Sequence, residues 1–408
     1  MTTASKPAVM SRDERLVLSI AVLASFVAFL DGTIVTIALP AIERDLGGGL
    51  ATQQWAVDAY LITLGALILL AGSLSDAYGR LLVMRIGLIG FGLTSIAIAG
   101  APNPEVLIIA RVFQGIAGAL LVPSSLALIM STFRGAASAR AIGIWTAMTT
   151  IALVAGPLIG GMFVDFASWR FAFLINVVPI VVTLVLIVRL GHHDVRRVGA
   201  SIDWLGAVLC TVGLGGTVFA LIEQPRLGWT SPLILVPLVV GVLSFAGFLV
   251  RQRLARDPMM PFSLFRVRNF WSGNLATTFI YGALSLNGFV LGVYLQEGAG
   301  LPATLAGLAT LPTTIFMIAL SSRVGTLAGK WGPRMFMTVG PILMGIGSLL
   351  LLSVRSDFSY WTQVLPSVLI FSLGLTITVA PLTSAILGAI EPERSGIASA
   401  INNAIARV

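Results

Sequence analysis

Four polar side chains stand inside long apolar stretches of this sequence and could carry proton or ion chemistry. They are Asp31, Asp58, Arg111 and Gln114. Burial in an apolar environment favours the protonated form of a carboxyl group, so such an acid can exchange protons near neutral pH. An arginine in the same environment keeps its charge and needs a partner. The set therefore predicts a proton-exchanging acid whose chemistry is tuned by an arginine.

Asp31 and Arg111 are expected to lie at a similar depth in a membrane. Asp31 is about 24 Å along a helix from Arg15, where the first apolar run begins. Arg111 is roughly 10 Å into a run that begins near residue 104 and crosses in the opposite direction. We expect them to interact directly, or through water and Gln114. Two alternatives stay open: Asp31 as a counter-charge for a cationic substrate, or a purely structural ion pair.

The remaining acidic and histidine candidates are weaker. Asp58 lies near the start of the second run, where it could guide protons or cations inward or be a solvated helix-end acid. Glu223 is interpreted as an interfacial acid, with an extra cation contact as the alternative. His192 and His193 are adjacent in a polar segment without clustered ligands, so we expect no metal site.

Membrane-spanning helices must position these side chains. The 408 residues are 57% hydrophobic and 10% charged, with a mean hydropathy of +0.98, which excludes an ordinary soluble domain. Apolar runs long enough to span a bilayer are predicted at 15–40, 53–73, 81–101, 104–131, 139–164, 169–190, 203–223, 231–250, 270–296, 303–324, 335–353 and 361–390. They are too long and too uniformly apolar for barrel strands. The fold class is therefore an all-α polytopic membrane protein.

The basic residues indicate the orientation of the chain. The net charge of +8 would suggest nucleic acid in a soluble protein. With the N-terminus inside, 19 of the 25 Lys and Arg residues fall in inner segments and four in outer segments. This bias follows the positive-inside rule. We expect a lipid bilayer as partner, a cytoplasmic N-terminus and no nucleic acid.

An internal repeat predicts the domain organisation. GSLSDAYGR at 72–80 aligns with GTLAGKWGPR at 325–334 at an offset of 253 residues. The offset predicts two six-helix units with two inserted helices, a known transporter design. The predicted parts are a cytoplasmic N-terminus (1–14), a first bundle (15–190), a linker with two helices (191–268) and a second bundle (269–408). The repeat would end near residue 443, so we expect a C-terminally truncated chain whose second bundle is incomplete.

Several motifs resemble one family. They are LDGTIVTIALP (30–40), GSLSDAYGR (72–80), RVFQG (111–115), AGPLIGG (155–161), WRFAFLINVVP (169–179) and IDWLG (202–206). Together they resemble the major facilitator superfamily, and within it the fourteen-helix drug:proton antiporter branch (EmrB/QacA type), over essentially the whole chain. Departures from the family pattern occur at Ala77, Leu81, Ala152 and Gly329.

The resemblance implies a gating loop made of Gly72, Asp76, Gly79 and Arg80. The glycines would permit close turns and tight helix contact. Asp76 would pair with a basic group or cap a helix start, acting as a latch when the cavity faces outward. An ordinary helix cap is the alternative.

The resemblance also implies an antiporter motif made of Gly156, Pro157, Gly160 and Gly161. These residues would put a kink and a small-residue face into the fifth span. The family role is a bend that controls leak and exchange. Simple close packing is the alternative, and it is compatible with that role.

The expected function is proton-coupled antiport that exports small, amphipathic, often cationic compounds by alternating access. We expect a monomer in the bacterial cytoplasmic membrane, with no enzymatic activity and no cofactor. Energy would come from the proton gradient, because no GxxxxGK[ST] nucleotide loop occurs in the sequence. The alternatives are an exporter dedicated to one metabolite or antibiotic, and a non-transporting membrane receptor or scaffold.

Overall fold

The computed structural model describes residues 10–191, 202–255, 258–354, 358–391 and 395–407. Every regular element within these ranges is a helix. The α-helices are α1 (Arg12–Leu46), α2 (Gly49–Tyr78), α3 (Arg80–Ala99), α4 (Pro104–Ala119), α5 (Leu121–Thr132), α6 (Gly135–Phe166), α7 (Phe171–Leu174), α8 (Val177–Leu190), α9 (Trp204–Leu227), α10 (Pro232–Leu254), α11 (Arg268–Val293), α12 (Ala303–Ala309), α13 (Leu311–Trp331), α14 (Arg334–Leu350), α15 (Leu365–Leu387) and α16 (Ser395–Ile405). The all-α polytopic fold class is confirmed.

Twelve spans in the described ranges are long and apolar enough to cross a membrane. They correspond one to one with the twelve predicted runs, although several helix ends differ. The helix α1 continues to Leu46, beyond the predicted end at Pro40, and α2 begins at Gly49 instead of residue 53. Polar residues can occupy the last turns of a helix once it has left the apolar layer, so hydropathy alone shortens the prediction.

Clear capping signals bound α1. The side chain of Ser11 accepts a hydrogen bond from the Glu14 backbone N–H, and Glu14 accepts one from the Ser11 backbone in return. This capping box satisfies backbone donors that a helix start otherwise leaves free. Gly47 closes the helix with a positive φ of 79°. We call the surface at which α1 begins the near face, and the surface at which α1 ends the far face.

The helix α1 lies at the centre of the first bundle, against α2, α5, α6 and α8. Two apolar clusters surround it. One includes α1 residues from Val17 to Ala28, and the other includes α1 residues from Ile34 to Ile42. Asp31 falls between them, so the packing leaves a polar layer in the middle of the bundle.

The helices α11 to α15 pack on one another in the second half of the chain, and α16 packs against α2, α11 and α15. Their core includes Phe270, Met344, Phe371 and Leu382. The helices α9 and α10 form a hairpin that packs against α2. The predicted domain boundaries stay a prediction. Residues 192–201, which form the first part of the predicted linker after residue 191, lie outside the described residues.

Polar contacts hold the α9–α10 hairpin at both faces. Asp203, at the start of α9, accepts hydrogen bonds from the Gly206 backbone at 2.9 Å, Gln252 Nε2 at 2.8 Å and Arg251 Nε at 3.1 Å. Burial raises the pKa of Asp203, but these donors outweigh it and hold the pKa below the ordinary value of 3.8. The carboxylate therefore ties the two helices together at the near face.

Glu223 ties the hairpin to α2 at the far face. Its Oε1 accepts a hydrogen bond from Trp55 Nε1 at 2.9 Å, and its Oε2 pairs with Arg226 at 2.8 Å. The sequence predicts an interfacial acid here and names no partner for it. The structure instead buries Glu223 against the first bundle, because the hairpin packs with Phe219 close to Trp55.

Asp203→Ala is expected to lower the free energy of unfolding by about 2 kcal/mol, because three donors lose a buried charged acceptor. Thermal unfolding of the detergent-solubilised protein measures this. The folded pKa of Asp203 is lowered, so its contribution is present above about pH 4 and is lost as the pH falls through the lowered pKa. Ser231→Ala is the matched control, because Ser231 begins α10 without a side-chain cap. Equal melting temperatures for parent and Asp203→Ala would contradict the assignment.

Candidate functional site

The site is a buried polar layer in the first bundle. Asp31, Arg111 and Gln114 are 0%, 1% and 0% exposed. Arg111 NH1 donates to Asp31 Oδ2 at 2.6 Å and to Gln114 Oε1 at 2.7 Å. The sequence predicts these three residues to interact directly or through water, and the structure brings them into direct contact.

Arg111 is held from the α2 side as well. Its Nε donates to the backbone oxygen of Ala56 at 2.6 Å. The guanidinium lies over the Tyr60 ring, 4.3 Å from its centroid, and 5.9 Å from the centroid of Phe173. A carboxylate, a carbonyl, an amide and an aromatic face thus surround the cation. This is the compensation that a buried arginine requires.

One further amide and a hydroxyl complete the layer. Asp31 Oδ1 accepts from Asn176 Nδ2 at 2.9 Å and from Gln114 Nε2 at 3.2 Å. Gln114 Nε2 also donates to Ser95 Oγ at 2.9 Å. Sequence reasoning missed Asn176, Ser95 and Tyr60 as site residues. The available signal was weak: each is a polar or aromatic residue inside an apolar run, and such residues are common in membrane helices.

A glycine sets the distance between α2 and α4. A Cβ on Gly115 would lie 2.4 Å from the backbone oxygen of Tyr60 and 2.0 Å from Thr63 Oγ1. Thr63 Oγ1 also donates to the backbone oxygen of Val112 at 3.0 Å. Only glycine allows this approach. The last residue of RVFQG thereby lets Arg111 reach the α2 backbone.

Asp58 stands apart from this network. It is half-buried in α2, about 14 Å from the start of that helix. The helix begins four residues before the predicted span, and the interfacial position expected for Asp58 stays a prediction. Among the described residues it has no ion-pair partner within 4.0 Å. The structure does not bring it together with Asp31.

The predicted gating loop is only partly supported by its local geometry. Gly79 joins α2 to α3 with a φ of 107°, a conformation that favours glycine. Gly72 lies within α2 and has open space where a Cβ would be, so the tight contact predicted there is not observed. Asp76 caps no helix; it lies 3.5 Å from Arg80 NH2, and its side chain is 43% exposed. A pair this long and solvated contributes little by itself.

The first side of the antiporter motif in α6 faces α1. A Cβ on Gly156 would lie 2.0 Å from Thr33 Oγ1, and one on Gly160 would lie 2.9 Å from the backbone oxygen of Ile34. These positions flank the α1 turn that carries Asp31. The small residues therefore bring α6 against the segment of α1 that holds the site.

The second side of the motif faces the second bundle. A Cβ on Gly161 would lie 2.5 Å from Thr304 Cα, and one on Gly307 would lie 2.4 Å from the backbone oxygen of Pro157. One helix thus contacts both the site and the other bundle. The structure supports the predicted close packing.

Polar contacts join the two bundles at the far face. Asp165, at the end of α6, accepts hydrogen bonds from the backbone N–H groups of Ala303 at 2.9 Å and Thr304 at 2.7 Å. Gln53 Nε2 donates to Glu297 Oε1 at 2.8 Å. These contacts hold α2 and α6 of the first bundle against the second bundle.

Gly160→Ala is expected to reduce transport at least tenfold and to lower the melting temperature, because the added methyl group meets the α1 backbone, which cannot yield easily. Gly143→Ala is the matched control, since it lies on the same helix with nothing within 4 Å of its Cβ. Efflux rate and thermal unfolding of both variants are compared with the parent. Normal transport by Gly160→Ala would contradict a requirement for this contact.

No metal site emerges from the described part of the chain, where no three His, Cys, Asp or Glu side chains converge. His192 and His193 lie outside the described residues. The expectations of no metal and no cofactor therefore stay predictions.

Comparison with known proteins agrees with this arrangement. The Major Facilitator Superfamily profile matches residues 21–408. The chain belongs to the major facilitator superfamily. Its relatives include a methylenomycin A resistance protein of Bacillus subtilis, 33% identical over 95% of this chain and 83% of that protein. Another is the multidrug resistance protein Stp of Mycobacterium tuberculosis, 34% identical over 97% of this chain and 73% of that protein.

Solved transporters of the superfamily share the fold. A peptide transporter in complex with sulfate superposes with a TM-score of 0.69 at 16% identity, over 97% of this chain and 87% of that chain. A D-xylose-proton symporter gives 0.67 at 14% identity, over 96% and 87%. This member of the superfamily is therefore a multi-pass membrane transporter for small molecules, with bacterial drug and antibiotic resistance proteins as relatives.

Proposed function

We propose that the protein is a proton-coupled antiporter that exports small amphipathic compounds, often cationic ones, by alternating access. The observation that carries this proposal is the ion pair between Asp31 and Arg111, which is buried in the middle of an apolar bundle. A buried ion pair is a poor source of stability, because its desolvation cost offsets its attraction. Its presence favours a functional role.

Protonation of Asp31 would remove the negative charge that compensates Arg111. When Asp31 takes up a proton, Arg111 loses its only carboxylate partner within the described network. An uncompensated buried cation is unfavourable, so the protonated state favours a different packing of the surrounding helices. Proton binding at one buried acid can in this way bias a conformational equilibrium.

A shift in the conformational equilibrium would act on the polar contacts that join the two bundles at the far face. Asp165 with the Ala303 and Thr304 backbone, and Gln53 with Glu297, must separate before the far face can open. The positive-inside charge bias supports an orientation with the far face outside and the N-terminus in the cytoplasm. Substrate would enter from the inside, and Asp31 would take its proton after the far face opens.

The finer assignments belong to the same proposal. The α9–α10 hairpin, which follows the first six spans and packs on α2, supports the fourteen-helix drug:proton antiporter branch. The bacterial relatives support the cytoplasmic membrane as the location. We propose a monomer that draws its energy from the proton gradient, with Asp58 and the Asp76–Arg80 loop as entry and gating elements.

An exporter dedicated to one antibiotic is the second candidate. Relatives named for a single antibiotic favour it, including a tetracenomycin C resistance and export protein of Streptomyces glaucescens, 33% identical over 93% of this chain and 70% of that protein. The two candidates share the mechanism and differ in substrate range. A substrate panel separates them.

The test uses everted membrane vesicles containing the full chain. We expect accumulation of a cationic amphipathic dye when a proton gradient is imposed, and loss of accumulation when a protonophore collapses it. Proton release from the vesicles on dye addition measures the coupling. Transport that persists unchanged after the gradient is collapsed would refute proton-coupled antiport, and transport of one antibiotic alone would favour the second candidate.

A further inference from the structure

Asn176 occupies an unusual position in the first bundle. It lies at the junction between α7 and α8 and is fully buried. Its Nδ2 donates to Asp31 Oδ1 at 2.9 Å, across 145 residues of chain. Of the two amides that donate to this oxygen, Asn176 makes the shorter bond, since Gln114 Nε2 lies at 3.2 Å.

The oxygen of the Asn176 amide does not contribute a hydrogen bond to the described part of the fold. Its Oδ1 is buried and has no hydrogen-bond partner among the described residues. A buried amide oxygen without a donor carries a desolvation cost, so an apolar residue would pack here more favourably. The contact with Asp31 is the one polar interaction that accounts for an asparagine at this position.

The junction that carries Asn176 is held in place from the far end of α1. Trp169 Nε1 donates to Asp45 Oδ2 at 3.0 Å, and Arg170 pairs with the same carboxylate. Phe173 of α7 lies within the cluster that packs around the second half of α1. These contacts hold the α7–α8 junction against α1, and the junction in turn holds the Asn176 amide beside Asp31.

The charged groups around Asp31 come from few elements. Arg111 of α4 is in direct contact with Asp31, and Tyr60 of α2 lies against the Arg111 guanidinium. Arg407, after α16, lies 5.2 Å from the ring centroid of Phe29 on α1. From α3, the group that reaches this network is the neutral Ser95 hydroxyl, which contacts Gln114. The α6 contacts beside Asp31 are made by Gly156 and Gly160, which bring no charge.

We propose that Asn176 is a positioning residue that sets the pH at which Asp31 exchanges its proton. This inference rests on the proposed function and adds a residue to it. The Nδ2–H group stabilises the charged carboxylate more strongly than the neutral acid, so it extends the pH range in which the Asp31–Arg111 pair stays intact. Asp31 would otherwise stay protonated at a higher pH and release its proton less readily inside.

Asn176→Leu tests the proposal, because leucine has a similar volume and no donor. We expect the pH midpoint of dye binding to the purified full chain, and of proton-driven efflux, to move upward by about one pH unit. Asn176→Ser is the second variant, since its hydroxyl is too short to replace the amide and it cannot overpack. We expect an upward shift for it as well. Thr183→Val is the matched control, because Thr183 is equally buried on α8 but its hydroxyl donates to the Pro179 backbone oxygen and not to Asp31 or its partners.

The outcomes separate this inference from the proposed function. An unchanged midpoint for both Asn176 variants, with Asp31→Asn inactive, would overturn the role of Asn176 and leave proton coupling intact. A shift of the same size in Thr183→Val would also overturn it, because the effect would then come from general disturbance of the bundle. Proton-coupled efflux by Asp31→Asn would instead refute the proposed function itself.

Discussion

Asp31→Asn is expected to abolish proton-driven export. The amide cannot ionise, so no proton is exchanged at the site, and Arg111 loses the carboxylate that lies 2.6 Å from its NH1. Breaking a buried ion pair on one side costs about 3 to 5 kcal/mol, so lower expression and a lower melting temperature should accompany the loss. Dye accumulation in everted vesicles and substrate-induced proton release are the measurements.

A counterflow assay separates coupling from folding. Asp31→Asn that reaches the membrane should still exchange labelled for unlabelled substrate down a concentration gradient, because that exchange needs no net proton movement. Asp13→Asn is the matched control: it lies in the first turn of the same helix and is exposed, and it should transport normally. Proton-driven accumulation by Asp31→Asn at the rate of the parent would contradict the assignment of Asp31.

Arg111→Lys is expected to reduce proton-driven transport at least tenfold although it retains the charge. An ammonium group cannot reproduce the fork that reaches Asp31 and Gln114 through NH1 and the Ala56 backbone oxygen through Nε. The planar contact with the Tyr60 ring is lost as well. Efflux rates and thermal unfolding of the solubilised protein measure the two consequences.

A double variant shows whether Arg111 and Asp31 act as one unit. Asp31→Asn combined with Arg111→Met removes both charges. The double variant should therefore lose at least about 1 kcal/mol less stability than the sum of the losses in Asp31→Asn alone and Arg111→Met alone. It should not recover proton coupling. Arg44→Lys is the control for the lysine substitution at Arg111, because Arg44 also donates through Nε to a backbone oxygen but is exposed. Strictly additive stability losses would contradict a coupled pair.

The helices and the nature of the site residues could be predicted from the sequence because both depend on local properties. Long apolar runs form helices in a membrane, since the backbone has no other way to satisfy its polar groups there. A carboxyl group and a guanidinium inside such runs are costly, which makes Asp31 and Arg111 conspicuous without any structure. Counting residues from the helix starts was enough to put them at similar depth.

The sequence could not tell which polar residues face one another. Depth along a helix follows from residue number, but rotation about the helix axis depends on contacts with neighbours. Asp58 and Asn176 illustrate the difference: sequence reasoning singled out Asp58, which lies outside the network, and passed over Asn176, which donates to Asp31. Gly72 likewise was expected to make a close contact and has open space beside it.

The sequence by itself determined an all-helical membrane protein with an acid and an arginine at comparable depth, because hydropathy and charge act on each segment independently. Only the tertiary structure decided that Asn176 and Gln114 share Asp31, that Tyr60 lies under Arg111, and that α6 contacts both the site and the second bundle. The physical reason is that small residues such as Gly115 and Gly160 set how closely and at what rotation helices pack. Those contacts join residues distant in sequence, and no local pattern records them.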